Sequence, residues 1–525
     1  MLRNRPFSRF FFKKFATSSA AEHRESEEVP QVTITAFNAQ TNTRSIVRIS
    51  QKERHGKRFR REFNLPHEAI NGLRSTIISC DRPAKQLQNE ADQLSNKLEQ
   101  RRFPESPATL KKLRNEVKKK LKAGKEMSEF DKEAFGGKVQ EAQQYEIRNE
   151  VDRILKKSNF NWKPLEISSK EAAASYSLAR LAPNYAEISR VLEEFNRIPG
   201  FQPETVLDYG SGSGAGFWAV NNRWPDVKEF TMVDLSDAMM KFSMDSLRKY
   251  PIKSPDVGRP FVHNNINFRR HLIPSLNTTY DIVLAHRVLC EIGSSDTRIQ
   301  LIESLWKRTN RFLILIESSQ SGAFGGILEA RDFLLTRGTQ VDYRKLINTL
   351  KEKVMLAPKV VRIVEDYNLS DYEKYVLLKE AVPPGEEVPT LLPTATVLAP
   401  CPHDLGCPLN AHDACTFNSR FQPIRADGRR SEKESDGTEV SKFTFVILEK
   451  APRKIDDYSE RILKNRKLGG HVTCDACTAF QGIQRITLSK KHGEMYTAVR
   501  SRRDGDILPI NLRTITSSRI LDVEN

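Results

Sequence analysis

The pattern of hydrophobic and polar positions changes several times along the chain, and each change predicts a different kind of structure. Two β-like stretches near the start, 32–36 (VTITA) and 45–49 (SIVRI), predict a pair of strands. From about 83 to 160, long runs of Lys, Glu, Leu and Gln with few glycines predict helices. From about 166 to 380, helix, glycine-rich turn, strand and helix alternate, which is typical of an α/β domain.

The remainder of the chain is interrupted by prolines and turn residues. Prolines make 383–400 a predicted linker or irregular loop, and the turn-rich stretch 401–442 holds three cysteines. The apolar run 443–449 (FTFVILE) predicts a return to strand. Beyond residue 470 the pattern predicts a small antiparallel β unit, with strands at 484–488 and 496–500 on either side of a turn.

Composition places the chain among globular proteins. Its 525 residues are 38% hydrophobic, enough to bury a sizeable core in about two to four structural units. Mean hydropathy is −0.54, and no apolar run approaches the ~18 residues of a membrane helix, so an integral membrane protein is excluded. Seven cysteines are too few for a disulfide-stapled secreted scaffold.

The charge balance favours a polyanionic partner. Lysine and arginine outnumber the acids by 84 to 67, and the net charge of +17 suits nucleic acid or an anionic membrane surface. Two clusters concentrate this charge: 52–61 has six basic residues against one acid, and 97–125 has eleven against three. Such densities can neutralise phosphates and release counterions. A solvated helix face is the alternative interpretation of these runs.

The first 22 residues have the composition of a mitochondrial targeting sequence. Five basic residues and five phenylalanines precede the first acid, Glu22, and residues 16–21 are small or hydroxylated. Basic, amphipathic, acid-poor and serine-containing segments are typical of mitochondrial presequences. We therefore expect a presequence at 1–22 and a location in the mitochondrial matrix. A disordered basic tail is the alternative.

A glycine-rich motif, TVLDYGSGSGAG at 205–216, follows a predicted strand and precedes a predicted helix. Its glycines allow the backbone to approach a nucleoside without Cβ clashes, and the helix N-terminus adds positive potential. A second predicted strand ends at Asp234, 24 residues after Gly210, where an acid binds ribose hydroxyls in doubly wound sheets. This arrangement resembles class I S-adenosylmethionine-dependent methyltransferases, which have an α/β, Rossmann-like fold.

The resemblance to these methyltransferases implies a role for each residue around a cofactor pocket. Asp208 would face the amino-acid part of S-adenosylmethionine, and Asp234 would hold the ribose. Asn265 or Asn267 would lie near the adenine, and His286 would follow the fourth strand beside the sulfonium. The turn would be lined by Gly210, Ser211, Gly212 and Gly214. A degenerate pocket that keeps the fold and binds no cofactor is the alternative.

Methyl transfer does not follow from such a pocket. Amine-methylating enzymes of this fold carry an Asn/Asp-Pro-Pro-Tyr/Phe loop after strand four, whereas this chain reads His-Arg-Val-Leu at 286–289. Cytosine C5 enzymes use Pro-Cys and Thr-Cys motifs, but Pro400-Cys401 and Thr473-Cys474 fall far past the site where the fold would use them. No general base stands out, so the catalytic residues are unknown from sequence.

Five of the seven cysteines fall between residues 401 and 477. Cys401, Cys407 and Cys415 are spaced C-x5-C-x7-C, and Cys474 and Cys477 follow. Clustered thiols in a reducing compartment indicate a metal site, and four thiolates suit an iron–sulfur cluster whose fourth ligand is Cys474 or Cys477. Zinc is the rival metal, and the histidines that could complete its site are His403, His412 and His471. A set of buried or free cysteines is the remaining alternative.

The motifs together resemble the methyltransferase-like assembly factors of the mitochondrial small ribosomal subunit. The matching segments, which cover about 170–500, are Tyr176-x3-Arg180-x2-Pro183-x-Tyr185, VLDYGSGSG at 206–214, Val288-Leu289-x-Glu291, Leu305-Trp306-x-Arg308-Thr309, Cys401-Pro-His403-x3-Cys407-Pro408, Cys415 and Gly470-His471-Val472-x2-Asp475-x-Cys477. The resemblance implies binding to small-subunit rRNA and a four-iron four-sulfur (4Fe-4S) cluster held by Cys401, Cys407, Cys415 and Cys477. After strand five, Glu317-Ser-Ser-Gln replaces the family's usual Glu-Pro-Gly-Thr, which weakens the expectation of catalysis.

These inferences predict one organisation. The expected domains are a presequence (1–22), a basic, mostly helical extension (23–165), a methyltransferase-like core (166–382), a Pro/Cys-rich insert with metal ligands (383–442), and a final core strand with a C-terminal β unit (443–525). We expect a monomer off the ribosome, with small-subunit mitochondrial rRNA, ribosomal proteins and other assembly factors as partners. The expected function is small-subunit assembly with S-adenosylmethionine bound and a structural cluster. An active rRNA methyltransferase is the alternative.

Overall fold

The computed structural model of the chain describes residues 31–38, 41–52, 58–101, 107–123, 138–157, 162–249, 260–275, 277–336, 339–353, 355–369, 371–383, 386–392, 395–409, 414–429, 431, 433–451, 459–479 and 482–514. The expected presequence at 1–22 lies outside these ranges. Within them, no helix is both long enough and apolar enough to cross a membrane.

Strands and helices alternate through the middle of the chain, and strands dominate its ends. The strands are β1 Gln31–Asn38, β2 Thr43–Gln51, β3 Thr205–Tyr209, β4 Glu229–Val233, β5 Ile266–Arg269, β6 Tyr280–His286, β7 Thr309–Ser318, β8 Gln340–Val341, β9 Thr390–Leu392, β10 Thr396–Ala399, β11 Phe417–Phe421, β12 Glu439–Glu449, β13 Arg461–Lys467, β14 His471–Cys477, β15 Ile483–Ser489 and β16 Ile510–Thr514. The helices are α1 His67–Ile78, α2 Ala84–Gln100, α3 Pro107–Ala123, α4 Lys138–Lys157, α5 Lys170–Leu192, α6 Ala215–Arg223, α7 Asp237–Ser246, α8 Ser295–Arg308, α9 Ser321–Thr336, α10 Tyr343–Glu352, α11 Pro358–Glu365, α12 Asp371–Ala381 and α13 Gly493–Ser501.

The larger sheet is mostly parallel, and its strands follow the order β10-β12-β7-β6-β3-β4-β5. Strands β3 to β7 run parallel to one another. Strand β12 lies antiparallel to β7 and also pairs with β10 and β11. Counted from β3, the parallel strands have the doubly wound order 3-2-1-4-5. This order, with an antiparallel strand beside strand five, confirms the methyltransferase-like core expected from the glycine motif.

Helices cover both faces of the larger sheet, so its central strands are apolar along their length. In β7, the residues of 312–316 (FLILI) are fully buried and alternate between two cores. One core contains α5, α6 and α7, and the other contains α8 and α9. The strand order reverses between β3 and β6, which opens a crevice at their carboxyl ends. Sheets of this kind bind their ligands in that crevice.

The smaller sheet is antiparallel and combines both ends of the described chain. Its order is β13-β14-β15-β1-β2-β16, so the two N-terminal strands lie between C-terminal ones. Strands β1 and β2 pair as the sequence pattern predicts, with Thr35 opposite Ile46. One face of the sheet packs on α13 around Val47, Leu488 and Val499. The N-terminal region is therefore more than the basic, mostly helical extension that the sequence suggests.

Two predicted elements are wrong. The stretch 496–500, expected as a strand, belongs to α13, because Met495, Tyr496 and Val499 share one helical face that packs on the smaller sheet. Within the expected loop at 383–400, Thr396–Ala399 forms strand β10 at the edge of the larger sheet. An edge strand tolerates a proline at its end because one side of its backbone needs no strand partner.

A buried arginine joins the two sheets. Arg461, the first residue of β13, donates from Nη1 and Nη2 to the carboxylate of Glu194 at 3.0 and 2.9 Å. Glu194 lies in the 3-10 turn that follows α5. Arg461 also donates from Nη1 to the Gly505 carbonyl (2.9 Å) and from Nε to the Pro400 carbonyl (3.2 Å). Arg461 is 1% exposed and Glu194 is fully buried, so this contact is shielded from water.

Neighbouring charges keep Glu194 ionised. Arg190, in the last turn of α5, donates to Glu194 Oε1 at 3.1 Å. Burial by itself raises the pKa of Glu194, but the charges of Arg461 and Arg190 lower it below its ordinary value. A carboxylate with a lowered folded-state pKa contributes stability above the unfolded-state pKa of about 4.3. That contribution is lost as the pH falls through the folded-state pKa.

Replacing Glu194 by Gln should destabilise the protein, because it leaves two buried guanidinium groups short of a counter-charge. We expect the free energy of unfolding at pH 7 to fall by about 3–5 kcal/mol, as when one partner of a buried ion pair is removed. Urea unfolding followed by tryptophan fluorescence measures this change. The matched control is Glu303→Gln, which removes a partly exposed pair with Lys307 and should change stability by less than about 0.5 kcal/mol. Equal destabilisation of both variants would contradict a special role for the buried contact.

Candidate cofactor pocket and cysteine cluster

The turn after β3 has a backbone that requires glycine. Gly210, Gly212 and Gly214 have φ angles of 71°, 51° and 85°, in the left-handed region that other residues avoid. The amides of Gly210 and Ser211 donate to the carbonyl oxygen of Val233 at 2.8 and 3.0 Å. A Cβ on Gly210 would lie 2.5 Å from Val288. The turn is therefore fixed between the end of β4 and the loop that follows β6.

A cavity of about 270 Å³ lies at the carboxyl ends of the parallel strands, beside this turn. The expected cofactor residues that line it are Gly210, Gly212, Asp234 and His286. Those that do not line it are Asp208, Ser211, Gly214 and Asn265. Tyr176, Tyr209 and Met239 add aromatic and apolar walls that the sequence reasoning did not assign to the pocket. A polar edge beside apolar walls suits a nucleoside-containing ligand.

Asp234 is held in place by backbone amides. Its Oδ2 accepts from the amide of Gly212 and its Oδ1 from that of Ser236, both at 2.9 Å. Burial raises the pKa of Asp234 above its ordinary value, although both hydrogen bonds favour the ionised form. The carboxylate at the end of β4 is thus oriented by the glycine turn itself.

Asp208 lies beneath the turn rather than in the cavity. It is 3% exposed, and its Oδ2 has no hydrogen-bond partner among the described residues. A Cβ on Gly216 would lie 2.3 Å from that oxygen, so the carboxyl group packs against the first turn of α6. Burial, and then the charge of Asp234, raise the pKa of Asp208 to about 7. Asn265 lies before β5 and is exposed, with its carbonyl accepting from the Phe230 amide.

His286 and Arg287, at the end of β6, are held by a buried carboxylate on α5. Glu187 is fully buried, and its Oε2 lies 2.8 Å from His286 Nε2. Its Oε1 accepts from Arg287 Nη2 (2.6 Å) and from Ser441 Oγ (2.5 Å). Burial lowers the pKa of His286, so at neutral pH the ring is uncharged and its Nε2–H donates to Glu187. The ring expected beside a sulfonium thus already has a hydrogen-bond partner.

The loop after β6 is covered by residues 162–168, here called the strap. Trp162 Nε1 donates to the carbonyl of Cys290 (2.8 Å), and the Leu165 amide donates to Glu291 Oε2 (2.7 Å). The Trp162 ring leaves no room for a side chain on Gly293, whose Cβ would lie 2.8 Å from it. Amine-methylating enzymes of this fold hold their acceptor after strand four. In this chain the strap covers that loop.

The strap is also tied to α7 and to the end of α2. Arg101, just after α2, pairs with Glu291 at 2.5 Å and donates to the carbonyl of Lys163 at 2.6 Å. Ser236, the N-cap of α7, donates to the carbonyl of Ile167 at 2.6 Å. Pro164, Leu165 and Ile167 of the strap form part of one wall of the cavity. Sequence reasoning missed the strap, and its one signal is Trp162, an aromatic residue at the end of a charged region.

Four cysteines converge on one small cavity lined by both sheets: two from the loop after β10, one from just before β11 and one from the end of β14. The lining residues include Cys401, Cys407, Cys415 and Cys477. Cys474 instead packs in the core beneath α13. Successive side chains of a strand alternate between its faces, so residues 474 and 477 of β14 point to opposite sides. The structure thus brings together the four cysteines that the family resemblance implies and separates Cys474 from them.

Two buried arginines, Arg331 and Arg461, also line this cavity. Arg331, on α9, donates to the carbonyls of His403 (3.2 Å) and Leu405 (2.5 Å), while its Nε has no partner among the described residues. Burial raises the thiol pKa of all four cysteines, and the charge of Arg331 opposes this at Cys401. A metal group would bind the four cysteines as thiolates, which adds negative charge to the cavity. The two arginines suit such a group because their positive charges would balance that negative charge.

The distances between these side chains do not define a metal site. Within the described parts of the chain, no group of three or more His, Cys, Asp or Glu side chains is arranged to hold a metal ion. His403 Nε2 lies 3.5 Å from Cys477 Sγ, and His471 is exposed at the start of β14. His412 lies outside the described residues. As donors, four thiols fit either an iron–sulfur cluster or zinc.

Replacing Glu291 by Gln should loosen the strap. The variant removes the charge that pairs with Arg101 and that accepts from the Leu165 amide, and a hydrogen bond to a charged group is worth about 1.5–3 kcal/mol. We expect amide hydrogen exchange in 163–167 to accelerate about tenfold or more, as measured by mass spectrometry. Glu303→Gln, on the outer side of α8, should leave this exchange unchanged. Unaltered exchange in Glu291→Gln would mean that other contacts hold the strap.

Comparisons with known proteins identify one family. A family profile described as Mitochondrial small ribosomal subunit Rsm22 matches residues 170–344 and 342–509. The human mitochondrial ribosome assembly protein METTL17 is 26% identical over 451 residues, which cover 85% of this chain and 83% of that protein. The mitochondrial Rsm22-cox11 tandem protein 2 of Schizosaccharomyces pombe is 22% identical over 375 residues, or 64% of this chain and 42% of that protein.

Solved methyltransferase structures align with the chain at low similarity. Magnesium protoporphyrin IX methyltransferase from Synechocystis, with bound SAH, is 12% identical, with a TM-score of 0.24 over 51% of this chain and 83% of that chain. The fold assignment rests on the strand order of the larger sheet. Since the two matches to the family profile together cover residues 170 to 509, which is more than half of the chain, the chain belongs to the mitochondrial small ribosomal subunit Rsm22 family.

Proposed function

We propose that this chain is an assembly factor of the mitochondrial small ribosomal subunit that binds immature small-subunit rRNA in the matrix. The observation that carries the proposal is family membership, together with similarity to a ribosome assembly protein over 85% of the chain. The net charge of +17 supports a polyanionic partner. The mitochondrial relatives support the location. Ribosomal proteins and other assembly factors complete the proposed set of partners.

Sedimentation of the native protein from gently lysed mitochondria tests this function, with both ribosomal RNAs probed across the gradient. We expect co-migration with a particle that contains small-subunit rRNA and lacks large-subunit rRNA. Raising the salt before centrifugation should release the protein, because phosphate contacts weaken as salt rises. Migration as free protein at every salt concentration would contradict stable association.

We propose further that Cys401, Cys407, Cys415 and Cys477 hold a 4Fe-4S cluster with a structural role. The convergence of these residues on one cavity that also contains two buried arginines supports this proposal. Such a group would fasten the loop after β10 to the end of β14, and its thiolate bonds would add to the free energy of folding. Zinc bound by the same thiolates is the alternative metal.

The cluster proposal is tested by two alanine variants three residues apart on β14. Cys477→Ala, purified without oxygen, should lose most of its iron and acid-labile sulfide and unfold at a lower temperature. Cys474→Ala should keep both, because Cys474 lies in the core on the other side of the strand. Cys401→Ser should behave like Cys477→Ala. Full iron content in Cys477→Ala would overturn the assignment, and stoichiometric zinc in the parent protein would replace the cluster by zinc.

We propose that the cavity beside the glycine turn binds S-adenosylmethionine, which supplies an electrophilic methyl group when bound. The turn at Gly210 and Gly212 permits close approach of a ligand, and Asp234 presents an oriented carboxylate. Asp208 supports this turn from below. His286 and Arg287 form the strand-four side of the pocket, where Glu187 fixes both side chains. Asn265, which was expected near the adenine, does not line this cavity.

An active rRNA methyltransferase is the second candidate, favoured by the intact glycine turn and the position of Asp234. The strap over the loop after β6 and the sequence of 286–289 argue against it. Asp234→Ala should weaken S-adenosylmethionine binding about tenfold or more in calorimetry, whereas the exposed Asp226→Ala should bind normally. Loss of a methylated base from small-subunit rRNA in Asp234→Ala alone would establish catalysis. Unchanged rRNA modification, with normal co-sedimentation, would restrict the cofactor to a non-catalytic role.

A further inference from the structure

Helix α13 covers one face of the smaller sheet, and the opposite face is largely exposed among the described residues. Side chains alternate across each strand, and Ala36, Val47 and Leu488 point into the core beneath α13. The intervening side chains lie on the opposite side, and apart from the buried pair Arg461 and Cys477 they form the surface here called the basic sheet face. Its cations are Arg44, Arg48, Lys464, Arg466, Arg485 and Arg513, which cross-strand pairing places on one side of the sheet.

The basic sheet face has a large excess of positive charge. Asp475 is the only carboxylate in the six described strands of this sheet, and it pairs with Arg466 (3.0 Å) and Arg485 (2.6 Å). With six cations and one carboxylate, the basic sheet face has a net charge of +5. The other four cations are Arg44, Arg48, Lys464 and Arg513. Their side chains are exposed and form no hydrogen bond or ion pair with the described residues. They are available to an anionic partner.

Two of these arginines are cross-strand partners on neighbouring strands. Arg48 on β2 lies directly opposite Arg513 on β16. Like charges at directly opposed positions of an antiparallel pair destabilise the sheet. On its other side Arg48 has a threonine, Thr33, which adds a hydroxyl and no negative charge. An anion bound between the two guanidinium groups would relieve their repulsion.

An aromatic residue lies within this charge. A row of cross-strand partners crosses five strands and consists of Lys464, Asp475, Arg485, Phe37 and Arg44. At about 4.8 Å per strand, the row is about 19 Å long. Phe37 is partly exposed and has an arginine on either side. Sheet-based RNA-binding modules stack bases on such rings, and arginines beside them hold the phosphates.

We propose that the basic sheet face binds a single-stranded stretch of RNA, with phosphates on Arg44, Arg48 and Arg513 and a base stacked on Phe37. The proposal rests on the rRNA-binding function proposed above and names the surface that performs it. A duplex would hide the faces of its bases from Phe37, which favours a single strand. An acidic protein segment could pair with the same arginines, but its binding would not require the ring of Phe37.

The full-length chain tests this proposal in a binding assay with a labelled single-stranded 12-nucleotide RNA over a range of salt concentrations. The triple variant Arg44→Gln, Arg48→Gln, Arg513→Gln should bind at least about tenfold more weakly near physiological salt. Its slope of log affinity against log salt should be less negative by about 2, because each phosphate that is no longer neutralised changes the slope by about 0.7. Phe37→Leu should bind about fivefold or more weakly with an unchanged slope. Thermal unfolding of each variant confirms that the sheet is intact.

The matched control replaces three exposed cations of the helices α10 and α11, Arg344, Lys359 and Arg362, by Gln. It should keep the affinity and slope of the parent protein. Equal binding by the parent and the basic-face triple variant would overturn the assignment of this surface. Competition by poly-glutamate as strong as that by RNA, with Phe37→Leu unaffected, would also overturn it and indicate an acidic protein. Failure of the parent protein to co-sediment with small-subunit rRNA would refute the underlying function instead, which separates the two results.

Discussion

The structure depends on burying the guanidinium group of Arg461 with a partner for each of its nitrogens. Its acceptors come from Glu194 after α5, from Gly505 before β16 and from Pro400 before Cys401. Removing a charge from water is costly unless every partner is in place, so these three segments must be positioned together. The turn after α5, the loop that carries Cys401 and the smaller sheet are therefore held together by this one buried side chain.

Much of the larger sheet could be predicted from sequence because its signals are local. The glycine turn of 205–216 has a defined backbone requirement, and the run FLILI at 312–316 suits a strand buried on both faces. The smaller sheet was harder, because the partners of β1 and β2 lie more than 400 residues away. The nine residues of α13 are too few for periodicity to separate a helix from a strand, and packing on the sheet decides between them.

The sequence predicts those parts of the site that depend on a single residue or on one short motif. The positions of Asp234 and of the glycines follow from strand order, so their grouping was foreseeable. The hydrogen bond between His286 and Glu187 could not be predicted. It depends on which face of α5 presents Glu187, which lies 99 residues earlier in the chain. Cys474 and Cys477 are separated because side chains alternate between the two faces of a strand, and this can be inferred only once β14 is known to be a strand. The strap has no motif, and its contacts arise from tertiary packing alone.

The pairing of β2 with β16 has a consequence for how the protein is made. Gln51 is opposite Ile510, so 459 residues must be synthesised after β2 before its outer neighbour exists. At about 5–20 residues per second, that interval is about 20–90 s. During it, β1 and β2 form at most an isolated hairpin with two unpaired edges, which other strands can join. The smaller sheet is therefore completed only after nearly the whole chain has been synthesised, so its N-terminal hairpin remains the longest-exposed part of the fold.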